Sequence, residues 1–185
     1  ELGCKNFVLS QDTSISVEKY IKQNGGIVFR SKVGEANVTE KMIETKSQVG
    51  GEGSSGGFIL SDFNYCRDGI LTSGLIASII KKDEFADALN FMEKYHIIRD
   101  KVEYDSEHHD DILKELHDKM KEKFGSVETL DGIKAIVDED SWALVRKSNT
   151  ENSIRVSAES NSLEKVRNIH QEIKDLIKES YDQIK

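Results

Sequence analysis

Apolar residues along the first 60 positions fall into short blocks that alternate between two periods. Phe7-Val8-Leu9 predicts a strand, Ile15, Val17, Tyr20 and Ile21 follow at helical spacing and stop at Gly25-Gly26, and Ile27-Val28-Phe29 predicts the next strand. Asn37 can cap a second helix, with Glu40 in its third helical position and Val38, Met42 and Ile43 turned inward. The chain then enters Gly50-Gly51-Glu52-Gly53-Ser54-Ser55-Gly56-Gly57 and resumes as a strand at Phe58-Ile59-Leu60. After Asp68-Gly69, Ile70, Leu75, Ile79 and Ile80 suit a buried helix, and Phe85, Ala88, Leu89 and Met92 suit another. This order predicts an α/β domain, a mixed sheet with helices, over residues 1–95.

From His96 the pattern changes. Ile97-Ile98 and Val102 to Tyr104 are strand-like, and Ile112, Leu113, Leu116, Met120 and Phe124 trace one helix face that Gly125 ends. Trp142, Leu144 and Arg146 alternate against Ala143 and Val145, and Ile154, Val156 and Ala158 alternate against Arg155 and Ser157, which predicts a β-hairpin with a polar loop. A last helix opens at Asn161 with Glu164 three residues on and carries Val166, Ile169, Ile173 and Ile177 on its inner stripe. Residues 96–185 therefore read as an α+β domain, an antiparallel sheet with packed helices.

Composition narrows the function classes. In 185 residues, 34 acidic against 26 basic side chains give a formal charge of −8, which argues against a broad footprint on nucleic acid or on an anionic membrane. Any phosphate site must then be local. No apolar run approaches a membrane span, and Cys4 and Cys66 lie far apart without metal or redox spacing, so reduced thiols in a cytoplasm are expected. Proline is absent, so turns rest on glycine, Asn, Asp and Ser.

Two loops concentrate candidate chemistry. In the glycine-rich stretch the backbone can approach a ligand closely, and Glu52 with Ser54 could take neighbouring sugar hydroxyls; the same composition also fits a plain flexible turn. In the hairpin loop, Arg146 offers a planar fork for phosphate oxygens, and Ser148, Asn149, Thr150 and backbone N–H groups could complete an anion-binding concavity; a solvated turn is the alternative. His108-His109-Asp110-Asp111 reads as a solvated helix start, because adjacent helical residues diverge by about 100° and cannot share one ion. Asp138-Glu139-Asp140 reads as an exposed acidic turn, and no nucleophile–base motif occurs.

Taken in order, these loops resemble the C-terminal half of the phosphohexomutases, the phosphomannomutase/phosphoglucomutase enzymes. Gly51-Glu52-Gly53-Ser54-Ser55 followed by Asp68-Gly69 is similar to the sugar-binding loop of the family's third domain. Ser31 to Val38 looks like its Lys-Val-Gly segment, and Asp12-Thr13-Ser14 like the turn after its first strand. Asp131-Gly132 and Trp142 to Thr150 resemble the fourth domain's approach to its phosphate loop, with Lys147 and Asn152 where the family has prolines. The resemblance implies that Glu52 and Ser54 bind the sugar, that Lys32 and Glu35 make accessory substrate contacts, and that Arg146, Ser148, Asn149 and Thr150 bind the non-transferring phosphate of a hexose phosphate. It also implies Mg²⁺ and a phosphoserine, whose motifs are not found in these 185 residues. No catalytic residue and no metal ligand is expected in this chain, which by this resemblance is the partner of further N-terminal domains and is inactive alone. A free-standing, non-catalytic sugar-phosphate-binding module is the alternative.

Overall fold

A computed structural model describes residues 3–53, 57–148 and 150–185. The chain forms two compact units, residues 1–94 and 95–185. In the first, β1 (Asn6–Ser10) pairs in parallel with β2 (Ile27–Ser31) and with β3 (Val49–Glu52), while β4 (Gly57–Leu60) runs antiparallel to β3. The sheet order is β2-β1-β3-β4. Helices α1 (Ile15–Gln23), α2 (Glu35–Thr45), α3 (Gly69–Ile79) and α4 (Asp83–Met92) complete the unit. This is the expected mixed sheet with helices.

Strand β3 lies inside the stretch that reads as a glycine loop. Its glycines serve packing: a Cβ at Gly50 would overlap Met42 Sδ and Val38 Cγ1 of α2. The bare backbone lets α2 settle on the sheet, where Val8, Val38, Met42 and Ile59 are fully buried. α2 itself starts earlier than Asn37. Gly34, at φ 117°, is its N-cap, and Asn37 lies within the first turn with its Nδ2 donating to the Val33 carbonyl at 2.8 Å. Ile43, expected inside, is 59% exposed.

The largest departure is α3. It is apolar around its whole circumference, a pattern that predicts burial, yet none of its residues is buried and Ile70 is 89% exposed. α4 likewise buries none of its residues, although Phe91 meets Tyr20 of α1 at 5.9 Å between ring centroids. The start of α3 is well formed, with the Asp68 carboxylate accepting from Leu71 N at 2.7 Å.

The second unit is a five-stranded antiparallel sheet, order β5-β9-β8-β7-β6, made of β5 (His96–Val102), β6 (Ser126–Glu128), β7 (Ile133–Asp138), β8 (Ser141–Lys147) and β9 (Ile154–Ser160). α5 (His109–Phe124) and α6 (Leu163–Ile184) pack on it. Their stripes, Ile112, Leu116 and Met120 with Val166, Ile169, Ile173 and Ile177, are buried together with Ala143, Val145, Val156 and Ala158. α6 is capped one residue later than expected, by Ser162, whose Oγ accepts from Lys165 N. β8 and β9 do not alternate between core and solvent; Trp142, Leu144 and Glu159 are as buried as their neighbours. Trp142 Nε1 donates to Glu159 Oε2 at 2.5 Å, and Lys134 Nζ sits 4.5 Å from the indole centroid.

Two polar segments differ from their solvated reading. His109 is buried and donates from Nε2 to the Tyr104 carbonyl at 2.9 Å. In the 138–140 turn, Lys165 pairs with Asp138, while Asn161 Nδ2 and Tyr95 Oη donate to Asp140. Among the described residues no helix is long and apolar enough to cross a membrane, and neither Cys4 nor Cys66 is in a disulfide.

One partly buried imidazole makes stability pH-dependent. Burial holds His170 below its ordinary value of 6.5, with Asp100 opposing and Lys174 adding to the shift. Asp100 keeps its charge through this range, because the Lys174 hydrogen bond lowers its carboxyl. The unfolded chain binds the His170 proton at higher pH than the folded chain, so stability falls as pH drops below 6.5 and levels off once folded His170 is protonated. Thermal melts by circular dichroism at about pH 7.5 and 5.5, spanning ordinary histidine titration, should show this loss, and His170→Gln should reduce it.

Candidate sugar and phosphate loops

Glu52 ends β3 and lies opposite Gly57 of β4 in the antiparallel register. Its carboxylate is 5% exposed and accepts from Arg67 Nη1 at 3.0 Å. Arg67 reaches it across Gly57, where a Cβ would overlap Arg67 Cγ and Cδ. The same guanidinium donates from Nε to Glu35 Oε2 at 2.5 Å, and Arg67 N donates to Glu35 Oε1 at 3.3 Å. Glu35 is the first residue of α2, so this arginine joins α2, β3 and the approach to α3. A surface cavity of about 490 Å³ opens beside it, lined by Glu35, Arg67, Asp68, Thr72 and Ser73 among others. Lys32 is exposed and makes no ion pair among the described residues. Ser54, with Ser55 and Gly56, lies outside the described residues.

The end of β3 is held from behind by the turn after β1. Gly53 N donates to Ser10 Oγ at 3.0 Å, and a Cβ on Gly53 would run into the Asp12–Thr13 backbone. Ser10 Oγ in turn donates to Asp12 Oδ1 at 2.6 Å. Arg30 Nη1 donates to the Ser10 and Thr13 carbonyls at 2.8 and 2.9 Å, and its guanidinium pairs with Glu18. Burial opposes the Glu18 charge, yet Arg30 and Lys22 outweigh it and hold that carboxyl below its ordinary value. Ser10, Arg30 and Arg67 are not visible as site residues in the sequence, because the partners that tie them to α1, α2 and the end of β3 lie 12 to 43 positions away.

In the second unit the hairpin loop joins β8 to β9. Arg146, half-buried near the end of β8, donates from Nη1 to the Lys147 carbonyl at 3.1 Å. Ser148 Oγ accepts from Thr150 N and Glu151 N at 3.4 and 3.2 Å, and Ser148 N donates to the Ser153 carbonyl at 2.9 Å. The N–H groups of Thr150 and Glu151 thus both face the Ser148 hydroxyl. Lys147 pairs with Asp110 at 2.8 Å, and Glu151 receives Lys101 and Arg155. Asn149 lies outside the described residues. Behind Arg146, Gly132 stands at φ 73° with its backbone against Val145 and Arg146, a position a Cβ would fill.

Among the described residues no three His, Cys, Asp or Glu side chains converge as a group that could hold a metal ion. The structure therefore places Glu52 with Glu35 and Arg67, while Arg146 reaches the Lys147 carbonyl and the Ser148 hydroxyl faces the backbone of Thr150 and Glu151.

Residues 2–95 match the phosphoglucomutase/phosphomannomutase α/β/α domain III, and residues 101–176 match the C-terminal domain of the same proteins. The chain belongs to the phosphoglucomutase/phosphomannomutase family, as its third and fourth domains. It is 34% identical over 172 residues to a Methanosphaera stadtmanae protein named "Probable phosphoglucosamine mutase", covering 87% of this chain and 38% of that one. It is 34% identical over 157 residues to a Thermococcus kodakarensis phosphoglucomutase/phosphomannomutase, covering 84% and 34%. The crystal structure of a phosphoglucomutase/phosphomannomutase family protein from Burkholderia thailandensis shares the fold, with a TM-score of 0.73 at 21% identity over 96% of this chain and 38% of that one. The chain spans about two fifths of the length of curated relatives that it matches.

Proposed function

We propose that this chain is the sugar-phosphate-binding half of a cytoplasmic phosphohexomutase. The sugar hydroxyls are taken by Glu52, with Ser54 and accessory contacts from Lys32 and Glu35. The non-transferring phosphate is taken by Arg146, Ser148, Asn149 and Thr150. The supporting observation is the nearly buried Glu52 carboxylate at a strand end, fixed between two glycines and an arginine, in a chain that matches domains III and IV of the family. Burying a carboxylate is costly unless it is paired, which Arg67 provides, and the ionised group so held is an acceptor for ligand O–H groups. Phosphoryl transfer needs a donor and an electrostatic clamp besides binding contacts, so the phosphoserine and Mg²⁺ belong to other domains and this chain alone does not turn over.

The two loops divide the labour, which NMR titration of the chain with glucosamine 6-phosphate, glucose 6-phosphate and inorganic phosphate can separate. Arg146→Ala should weaken all three ligands alike, by roughly 10- to 150-fold for the loss of a charged hydrogen bond. Glu52→Gln should weaken the sugar phosphates and leave inorganic phosphate unchanged. Unaltered phosphate affinity in the Arg146 variant would sink the phosphate assignment, and an unaltered sugar-phosphate preference in the Glu52 variant would sink the sugar assignment.

A further inference from the structure

The three charged groups around the end of β3 are arranged for more than an ion pair. Glu52 is almost wholly buried, whereas Arg67 and Glu35 are partly exposed at the cavity wall. A buried carboxylate depends on its partner both for charge compensation and for the direction in which its lone pairs point. Arg67 supplies the two together: Nη1 meets Glu52 while Nε meets Glu35, so the plane of the guanidinium is set by one carboxylate and presented to the other. The Glu35 hydrogen bond raises the affinity of Arg67 for its proton above the ordinary arginine value, and Glu52 adds to this, so the fork stays charged.

The backbone is shaped for this reach. Gly57 leaves the space above β4 open for the arginine stem, whose Cγ and Cδ occupy the volume of a side chain at that position. On the far side, Asp68 N donates to the Phe58 carbonyl at 3.2 Å and the Asp68 carboxylate caps α3, which fixes the residue next to Arg67. The arginine is therefore anchored at its base, guided along its stem and paired at its tip.

We infer that Arg67 is the positioning residue for Glu52, and that it sets the preference of this site for a sugar bearing neighbouring hydroxyls. The inference rests on the reading of Glu52 as a sugar ligand. Arg67 brings the trio to a net charge of −1 and holds the Glu52 oxygens as a fixed acceptor pair. Without it, Glu52 loses that charge compensation and the orientation its hydroxyl contacts need. A Lys at position 67 keeps the charge but lacks the fork that contacts both carboxylates in one plane.

The test is the ratio of the Kd for inorganic phosphate to that for glucosamine 6-phosphate and glucose 6-phosphate, measured by NMR titration of the full chain. Glu52→Gln should collapse this ratio, and Arg67→Ala should collapse it to the same level, with phosphate affinity changed less than twofold. Arg67→Lys should lie between wild type and Arg67→Ala. The double variant Arg67→Ala/Glu52→Gln should lose no more than either single variant, because both remove one shared contact. Gly57→Ala, which displaces the stem and keeps the charge, should lower the ratio in the same direction and serves if Arg67→Ala fails to fold. A ratio that survives in Arg67→Ala, Arg67→Lys and Gly57→Ala while Glu52→Gln loses it would overturn the role of Arg67 and leave that of Glu52 intact. A ratio unaffected by Glu52→Gln, or absent in wild type, would overturn both.

Discussion

Trp142→Ala is expected to lower the unfolding free energy by about 3–5 kcal/mol, the usual cost of truncating a fully buried large aromatic. Trp142 has no exposed surface, and three things depend on its ring: the packing in the middle of the antiparallel sheet, the face offered to Lys134, and the N–H given to Glu159. Trp142→Phe separates these. It retains most of the apolar volume and removes the indole donor from a carboxylate that is 1% exposed, so about 1–3 kcal/mol is expected from the hydrogen bond alone. Urea titration followed by far-ultraviolet circular dichroism measures both. A Trp142→Phe variant as stable as wild type would show that the Glu159 contact contributes nothing.

Gly132→Ala carries the second largest expected effect. The residue sits at φ 73°, where an L side chain costs about 1–2 kcal/mol. The new Cβ would also overlap the Val145 carbonyl and the Arg146 backbone, and forcing atoms into a filled space costs typically about 1–3 kcal/mol. A total near 2–5 kcal/mol is expected from these two terms. Because the displaced backbone is that of Arg146, affinity for inorganic phosphate should fall as well, although the guanidinium itself is untouched. A variant within about 0.5 kcal/mol of wild type, the range of an ordinary surface substitution, would refute the close packing.

What the sequence could and could not show follows from which signals are local. The long helices of the second unit were legible because one face of each is buried, and Ile112, Leu116 and Met120, or Val166, Ile169, Ile173 and Ile177, recur at the helical period. β8 and β9 were found as strands, but their in-and-out alternation failed, since both faces are buried and Trp142 and Leu144 pack as tightly as Ala143 and Val145. β3 was hidden by its composition. Gly50 and Gly51 signal a loop by propensity, whereas here they admit the side chains of α2 and β1. α3 misled in the opposite direction, because an apolar circumference speaks of burial without saying what buries it.

For the candidate site, Glu52 and Arg146 stood out through motif order. Arg67 and Ser10 carried no signal of their own, since their significance comes from strand register and from glycines opposite them.

The seat of Trp142 also makes the chain its own reporter. It is the single tryptophan, and it belongs to the unit spanning residues 95–185. Selective excitation of indole emission therefore follows the antiparallel sheet alone and is blind to the first unit, whereas ellipticity sums over both. Coincident denaturation midpoints from the two signals would mean that the halves melt as one cooperative block; separated midpoints would assign each transition to its half without a label.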